Sequence, residues 1–477
     1  MVFSTFTFIS IFLPIVWLLQ TLCRSILWKN IILLAASLVF YGYGEPVYIL
    51  LLIGSALASW LVALRIDQSG QDSSRKALLV LSCIIHLGLL GVFKYAAFLT
   101  ETINEITHLG IPVPHIALPI GISFYTFQAL SYVIDVYRGK CRSQKNFFWM
   151  LLYLSFFPQL IAGPIVRYTD IEKELTDRKV TFEGTLSGMM RFSVGLARKI
   201  LISDSCALVA DSVFGAHISS VGTLSAWLAA GTYMLQIYFD FSGYSDMAIG
   251  LGEMFGFHFL ENFRNPYAAS SIRDFWTRWH ISLSSWLREY LYYPLGGNRK
   301  GKVRTVFNRM VVFVLCGLWH GAGFTFLFWG FYHGLLTAIE GFIPWFHKDT
   351  KHSVFGKIIM HIYTVLAVMI GFVFFRADTI GQGFDMLGKM FTLSSPANGQ
   401  VLLYSLLTPE NLVMIAAAIF FCFPVSTWIR KRSQAVSTTR FGRFWYAVSP
   451  VLSLACMALS VIHMSTGGYS PFIYFRF

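Results

Sequence analysis

The sequence predicts an all-α polytopic membrane protein, and three observations carry that prediction. Of its 477 residues, 56% are hydrophobic and 17% aromatic, while only 13% are charged; soluble domains carry roughly a quarter charged residues. Apolar stretches recur from residue 5 to residue 465 with no polar linker between them, whereas a soluble chain of this length divides into domains. The Lys and Arg residues fall in short bursts between those stretches, as they do in the cytoplasmic loops of membrane proteins.

Crossing a bilayer core takes about 20 apolar residues. Candidate spans are 5–22, 30–44, 46–64, 77–93, 119–137, 146–163, 187–209, 222–239, 241–257, 309–318, 324–343, 355–375, 411–428 and 445–463. The run Phe157-Pro158-Gln159-Leu160-Ile161-Ala162-Gly163-Pro164 and the run Leu315 to Gly323 are too rich in Gly and Pro to cross simply. Broken backbone at membrane depth is tolerated only where protein buries it or a watery cavity borders it. The expectation is therefore about ten to twelve crossings with re-entrant and interfacial helices, in a single integral-membrane domain over 1–477. Residues 464–477 would form an extracytoplasmic tail.

Loop charge gives an orientation. The 66–76, 138–145 and 430–443 loops are basic and should be cytoplasmic; 99–118 and 391–411 lack Lys and Arg and should be external. Both termini then lie outside, in the periplasm if the membrane is a bacterial inner membrane. The first 24 residues carry no basic residue before Arg24 and no small-residue cleavage site, so they read as a retained span and not as a signal peptide. The net charge of +13 comes with no groove-reading motif, which argues against nucleic acid as a partner. Seven scattered cysteines without a CxxC pair indicate neither a disulfide framework nor a metal site.

Two segments could carry chemistry. In Ser271 to Arg288, helical spacing puts Arg273, Thr277, His280, Ser284 and Arg288 on one face and Trp279, Leu283, Trp286 and Tyr290 on another. That pattern suits a membrane-surface helix as well as an active-site helix. In Cys316 to Thr325, His320 stands among Gly and apolar residues with no carboxylate within ten positions. Small neighbours would let a substrate approach its ring. An imidazole with an ordinary pKa of about 6.5 can take a proton from an alcohol; a core histidine bonded to a carbonyl fits the pattern too. Asp240 and Asp246 sit in an apolar run, six residues apart and so not an acid/base pair on one helix face. Structural ion pairs to Arg273, Arg278 or Arg288 are expected for them. The Leu295 to Lys302 turn is basic but lacks the order of a phosphate-binding loop.

Taken together, these residues resemble a known family. Arg278-Trp279-His280, Ser284 to Trp286 and Tyr292-Tyr293-Pro294-Leu295-Gly296-Gly297 are similar to one signature of membrane-bound O-acyltransferases, and Leu318-Trp319-His320-Gly321 to the other. Tyr238 to Asp246 and Pro158 to Ile165 resemble the bacterial branch of alginate O-acetyltransferases and D-alanyl transfer proteins. The resemblance implies a ring of helices around a tunnel, where a cytoplasmic acyl thioester meets a hydroxyl reached from outside. It implies that His320 is the base that deprotonates the hydroxyl, and that His280 orients the acyl group or polarises its carbonyl. No tightly bound cofactor is implied; acetyl-CoA or a phosphopantetheine carrier protein would be the donor, with Arg288, Arg299 and Lys300 as candidate contacts. The acceptor would be an exported polysaccharide such as alginate, reached through a periplasmic acetyltransferase-type partner, with peptidoglycan, cellulose or teichoic acid as alternatives. The final Phe472-Ile473-Tyr474-Phe475-Arg476-Phe477 resembles the tail of a small D-alanylation partner in which a tyrosine is the suspected acyl relay. Tyr474 is thus a candidate relay, against an aromatic interfacial anchor.

A transporter or flippase for a lipid-linked saccharide is the competing class, since intramembrane carboxylates and basic breaks suit it as well. Transfer from acetyl-CoA that depends on His320 separates the two.

Overall fold

A computed structural model describes residues 1–346, 350, 352–393, 395–423, 440–466 and 472–473. Most of the basic 430–443 loop and of the 464–477 tail, with Tyr474, therefore lies outside the described residues. The described secondary structure is helical, with no strand among those residues. Among the described residues, five helices are long and apolar enough to cross a membrane: Ile26–Gly44, Ile49–Gln68, Asp72–Thr107, Val354–Arg376 and Ala447–Ser465. The Ala397–Leu406 and Pro409–Cys422 pair, bent by 72°, makes a sixth if it is one span. Other apolar stretches form helices that are shorter or charged, such as Gly301–His320 with Lys302, Arg304 and Arg309 in its first half. The stretches 222–239 and 241–257 are not two spans but one helix of 32 residues, Thr223–Met254.

The chain folds as two compact units. The first comprises Met1–Phe192 and Tyr244–Glu261. Its Ile122–Tyr137 helix, mostly apolar, is buried along nearly its whole length. It packs against Ile49–Gln68 and Asp72–Leu90. The Pro158 segment breaks as its composition suggests: Phe147–Ser155 ends at Phe156, and Phe157–Leu160 is a single turn with Pro158 in its first positions. Asp246 is paired here, 2.9 Å from Arg191, which also reaches Glu261 at 2.6 Å.

The second unit, Ser193–Gly243 and Asn262–Phe477, contains both candidate histidines. Its organising element is the hairpin of Gly301–His320 and Phe324–Phe342. Two glycines let these helices approach closely. A Cβ added at Gly317 would lie 2.2 Å from the Phe326 carbonyl oxygen, and one at Gly330 2.4 Å from that of Phe313. Only hydrogen fits at such a crossing.

Candidate active site

His320 is the last residue of the Gly301–His320 helix, which stops because Gly321 is extended (φ −158°, ψ 151°). Its ring is 4% exposed and is enclosed by Trp319, Trp329 and Phe375 at centroid distances of 5.0, 5.2 and 5.3 Å. The small residue beside it has a different use from the one expected. A Cβ at Gly321 would lie 2.2 Å from the Phe326 ring, so that glycine makes room for an aromatic side chain and not for substrate.

His280 departs further from its expected place. One helix over Ser271 to Arg288 would carry it on the arginine face, but the chain makes two seven-residue helices, Ile272–Arg278 and Ile281–Leu287. His280 sits between them in the left-handed region (φ 44°, ψ 56°), a conformation that costs a non-glycine residue roughly 1–2 kcal/mol. Asn262 offsets that strain. Its carbonyl accepts the Ile281 N–H at 2.9 Å, and its side-chain Oδ1 accepts the Ser282 N–H at 3.2 Å and the Ser282 hydroxyl at 2.9 Å. Nδ1 of His280 lies 3.1 Å from the same oxygen. The break turns His280 out of the polar stripe into the interior, where it is fully buried against Phe241 (4.6 Å) and Trp319 (5.9 Å). Trp319 thus contacts both histidine rings. Burial pushes the His280 pKa down to about 3, so the ring is neutral at physiological pH.

The rest of the stripe stays together and lines a cavity of about 740 Å³ with Arg273, Thr277, Ser284 and Arg288. The opposite wall is one face of the hairpin's first helix: Arg309, Phe313 and Cys316. Continuing that spacing by one turn reaches His320. Three arginines border the cavity, and its one carboxylate, Asp274, is held by Arg278 at 2.9 Å. The volume and positive lining suit a small anionic ligand with an apolar portion. Of the other candidate donor contacts, Arg299 and Lys300 follow the lining residue Asn298 and are exposed in the turn.

Asp240 is an ion-paired group, as expected, but not with the arginines of the histidine segment. Its carboxylate lies 2.9 Å from Nζ of Lys199, which also meets Asp204 at 2.6 Å. The other carboxylate oxygen accepts the Ile473 N–H at 2.8 Å. Phe472 and Ile473 are buried, and Phe472 packs on Phe241, the ring that touches His280. Sequence reasoning missed Asn262 and Lys199. Lys199 and the adjacent Arg198 form a cationic pair within the apolar 187–209 stretch, which could have flagged the position. For Asn262 no comparable signal existed, because its role depends on a backbone break 18 residues downstream. Among the described residues no group of three or more His, Cys, Asp or Glu side chains is placed to hold a metal ion.

The model of the membrane-bound O-acyltransferase family matches residues 141–376, a stretch that includes both histidines and the arginines of the cavity. Over the full length of both chains, the sequence is 38% identical to a probable alginate O-acetylase of Pseudomonas putida. It is 32% identical to a peptidoglycan O-acetyltransferase of Helicobacter pylori, over 100% of this chain and 98% of that one. A teichoic acid D-alanyltransferase of Bacillus subtilis is 28% identical over 54% of this chain and 66% of its own.

Proposed function

Because the chain belongs to the membrane-bound O-acyltransferase family, we propose that it moves an acetyl group from a cytoplasmic thioester to hydroxyls of an exported, alginate-type polysaccharide, with His320 as the base. The observation that carries the site assignment is the placement of His320. It ends the helix face whose preceding turns, at Arg309, Phe313 and Cys316, border the arginine-lined cavity. A thioester whose phosphates meet Arg273, Arg288 and Arg309 could extend its apolar arm along that face to the imidazole. Arg299 and Lys300, exposed beside the cavity, add charge for the phosphates of acetyl-CoA or of a phosphopantetheine carrier.

The chemistry balances without a further reactant. The acceptor hydroxyl oxygen attacks the thioester carbonyl as His320 takes its proton; the carbon–sulfur bond then breaks, and the thiolate leaves with that proton. The products are an ester and a free thiol. Enclosure by Trp319, Trp329 and Phe375 excludes water, which limits hydrolysis of the thioester.

Loop charge supports an inner-membrane orientation with both termini in the periplasm and the donor side in the cytoplasm. Tyr474, the next residue in sequence after the buried Phe472–Ile473 pair, is the candidate relay of the acyl group to a periplasmic partner. The full-length similarity to a peptidoglycan O-acetyltransferase favours peptidoglycan as the second acceptor to test. The experiment is transfer of labelled acetate from acetyl-CoA, by protein reconstituted in nanodiscs with its partner, to oligomannuronate or to peptidoglycan fragments. Labelled product from wild type and not from His320→Ala is the expected outcome. No transfer to either polymer, with the thioester left intact, would remove the proposal.

A further inference from the structure

The hydrogen bonds around Asn262 fix which nitrogen of His280 carries its proton. Asn262 Oδ1 receives the Ser282 N–H at 3.2 Å. A backbone N–H can only donate, so the atom facing it is the amide oxygen and not the amide nitrogen. That same oxygen lies 3.1 Å from His280 Nδ1, and two lone-pair atoms would repel at this distance; a proton must lie between them. The Ser282 hydroxyl does not compete for Nδ1. It is 2.9 Å from Asn262 Oδ1 and 3.4 Å from Nδ1, and hydrogen bonds between such atoms weaken steeply over that difference. Nδ1 is therefore the donor, and Nε2 bears the lone pair. Nε2 is buried and has no hydrogen-bond partner among the described residues, an arrangement that costs about 1–3 kcal/mol unless something else supplies a donor.

The geometry points to Asn262 as a positioning residue of the acyl transfer: it locks His280 as the Nδ1–H tautomer and so presents Nε2 as a hydrogen-bond acceptor for the hydroxyl of the incoming substrate. This inference rests on the O-acyltransferase reading and changes one part of what the resemblance implied. Polarising the thioester carbonyl requires an N–H aimed at it, and in this tautomer the only ring N–H is spent on Asn262. His280 is instead suited to the acceptor side. It orients the hydroxyl, whose proton goes to His320, and the group that relieves its unmet lone pair is an alcohol O–H. The left-handed backbone at His280 has the same cause. Without it, the ring would stay on the cavity-facing stripe with Arg273 and Arg288, away from Asn262.

The test is nitrogen-15 NMR of histidine-labelled full-length protein in nanodiscs, with His280→Gln to assign the signal, combined with acetyl-transfer kinetics. A protonated Nδ1 and unprotonated Nε2 are expected in wild type. Asn262→Leu should lose the fixed tautomer and lower kcat about ten- to a hundredfold, with the donor KM unchanged. Asn262→Asp offers the same acceptor to all three donors. It should restore the tautomer and most of the turnover while moving the His280 NMR titration to higher pH, because a carboxylate favours the imidazolium. A protonated Nε2 in wild type would overturn the inference whatever the kinetics show, and so would a His280 NMR titration left unmoved in Asn262→Asp. If the Nδ1–H tautomer is seen but His320→Ala transfers acetate normally, the base assignment fails and the tautomer stands. The wild-type spectrum and Asn262→Asp keep the test decisive if Asn262→Leu does not fold.

Discussion

Replacing Gly317 by Ala isolates the hairpin's part in catalysis. The new Cβ would sit 2.2 Å from the Phe326 carbonyl oxygen and 3.0 Å from its carbon, whereas a carbon–oxygen contact settles at about 3.3 Å or more. The two helices must therefore separate by about 1 Å at a point one turn before His320. Overpacking of this kind costs about 1–3 kcal/mol, while Ala returns about 1 kcal/mol through its better helix propensity, so folding should survive. Turnover should not. A displacement of about 1 Å in a catalytic group can cost ~10²-fold, and that is the expected fall in kcat. Gly330→Ala, with its Cβ 2.4 Å from the Phe313 oxygen, should act alike; Gly388→Ala, which meets nothing within 4 Å, should be silent. The assay is acetyl transfer from acetyl-CoA by protein that elutes as a single species on size exclusion. Monodisperse Gly317→Ala with wild-type kcat would refute the idea that this crossing fixes the base.

Further outcomes follow from the same geometry. His320→Ala should lose about 10²–10⁴-fold in transfer and still purify normally, with His280→Ala hurting less; the reverse order, measured side by side, would exchange their roles. Arg288→Glu and Arg309→Glu should raise the apparent donor KM with a marked salt dependence, and Arg299→Glu, exposed outside the cavity lining, should do so less. A lost kcat at constant KM would point away from donor docking. Tyr474→Phe keeps the aromatic body and removes the hydroxyl, so a relay predicts loss of polymer acylation and an acyl adduct on the wild-type terminal peptide by mass spectrometry. Full activity would leave that residue as an anchor. His280 should stay neutral from pH 8 to pH 5, since burial lowers its pKa to about 3; a histidine NMR titration near the ordinary value of about 6.5 would contradict this.

Much of the architecture was legible because the bilayer imposes simple rules on composition. Apolar length located the five helices long enough to cross, but it also marked stretches that form shorter or charged helices; Gly and Pro located the break at Pro158 and the helix end at His320. The signature around His320 led to the residue that the structure encloses in aromatic rings. Periodicity failed at His280, where it assumed an unbroken helix. The break there is stabilised by Asn262, and a bond between residues 18 positions apart leaves no trace in helical spacing. The pairing of Asp240 failed for a related reason. The expectation drew its partners from the nearby arginine-rich segment, whereas Lys199 and Ile473 reach it through tertiary packing. Charge type was readable from the sequence; partner identity was not.

The bond between Asp240 and the Ile473 amide bears on how the protein should be handled at the bench. Ile473 stands four residues before the last position of the sequence, and its backbone is tied to a buried carboxylate through a hydrogen bond of a type worth about 1.5–3 kcal/mol. An affinity tag or fluorescent fusion attached close after Ile473 would pull on that anchorage. Such a preparation could be abundant, well folded and inactive, and a mutant series built on it would understate the wild type. Purification handles therefore belong in an exposed polar loop, such as the one around Gly70, where an added side chain meets nothing within 4 Å.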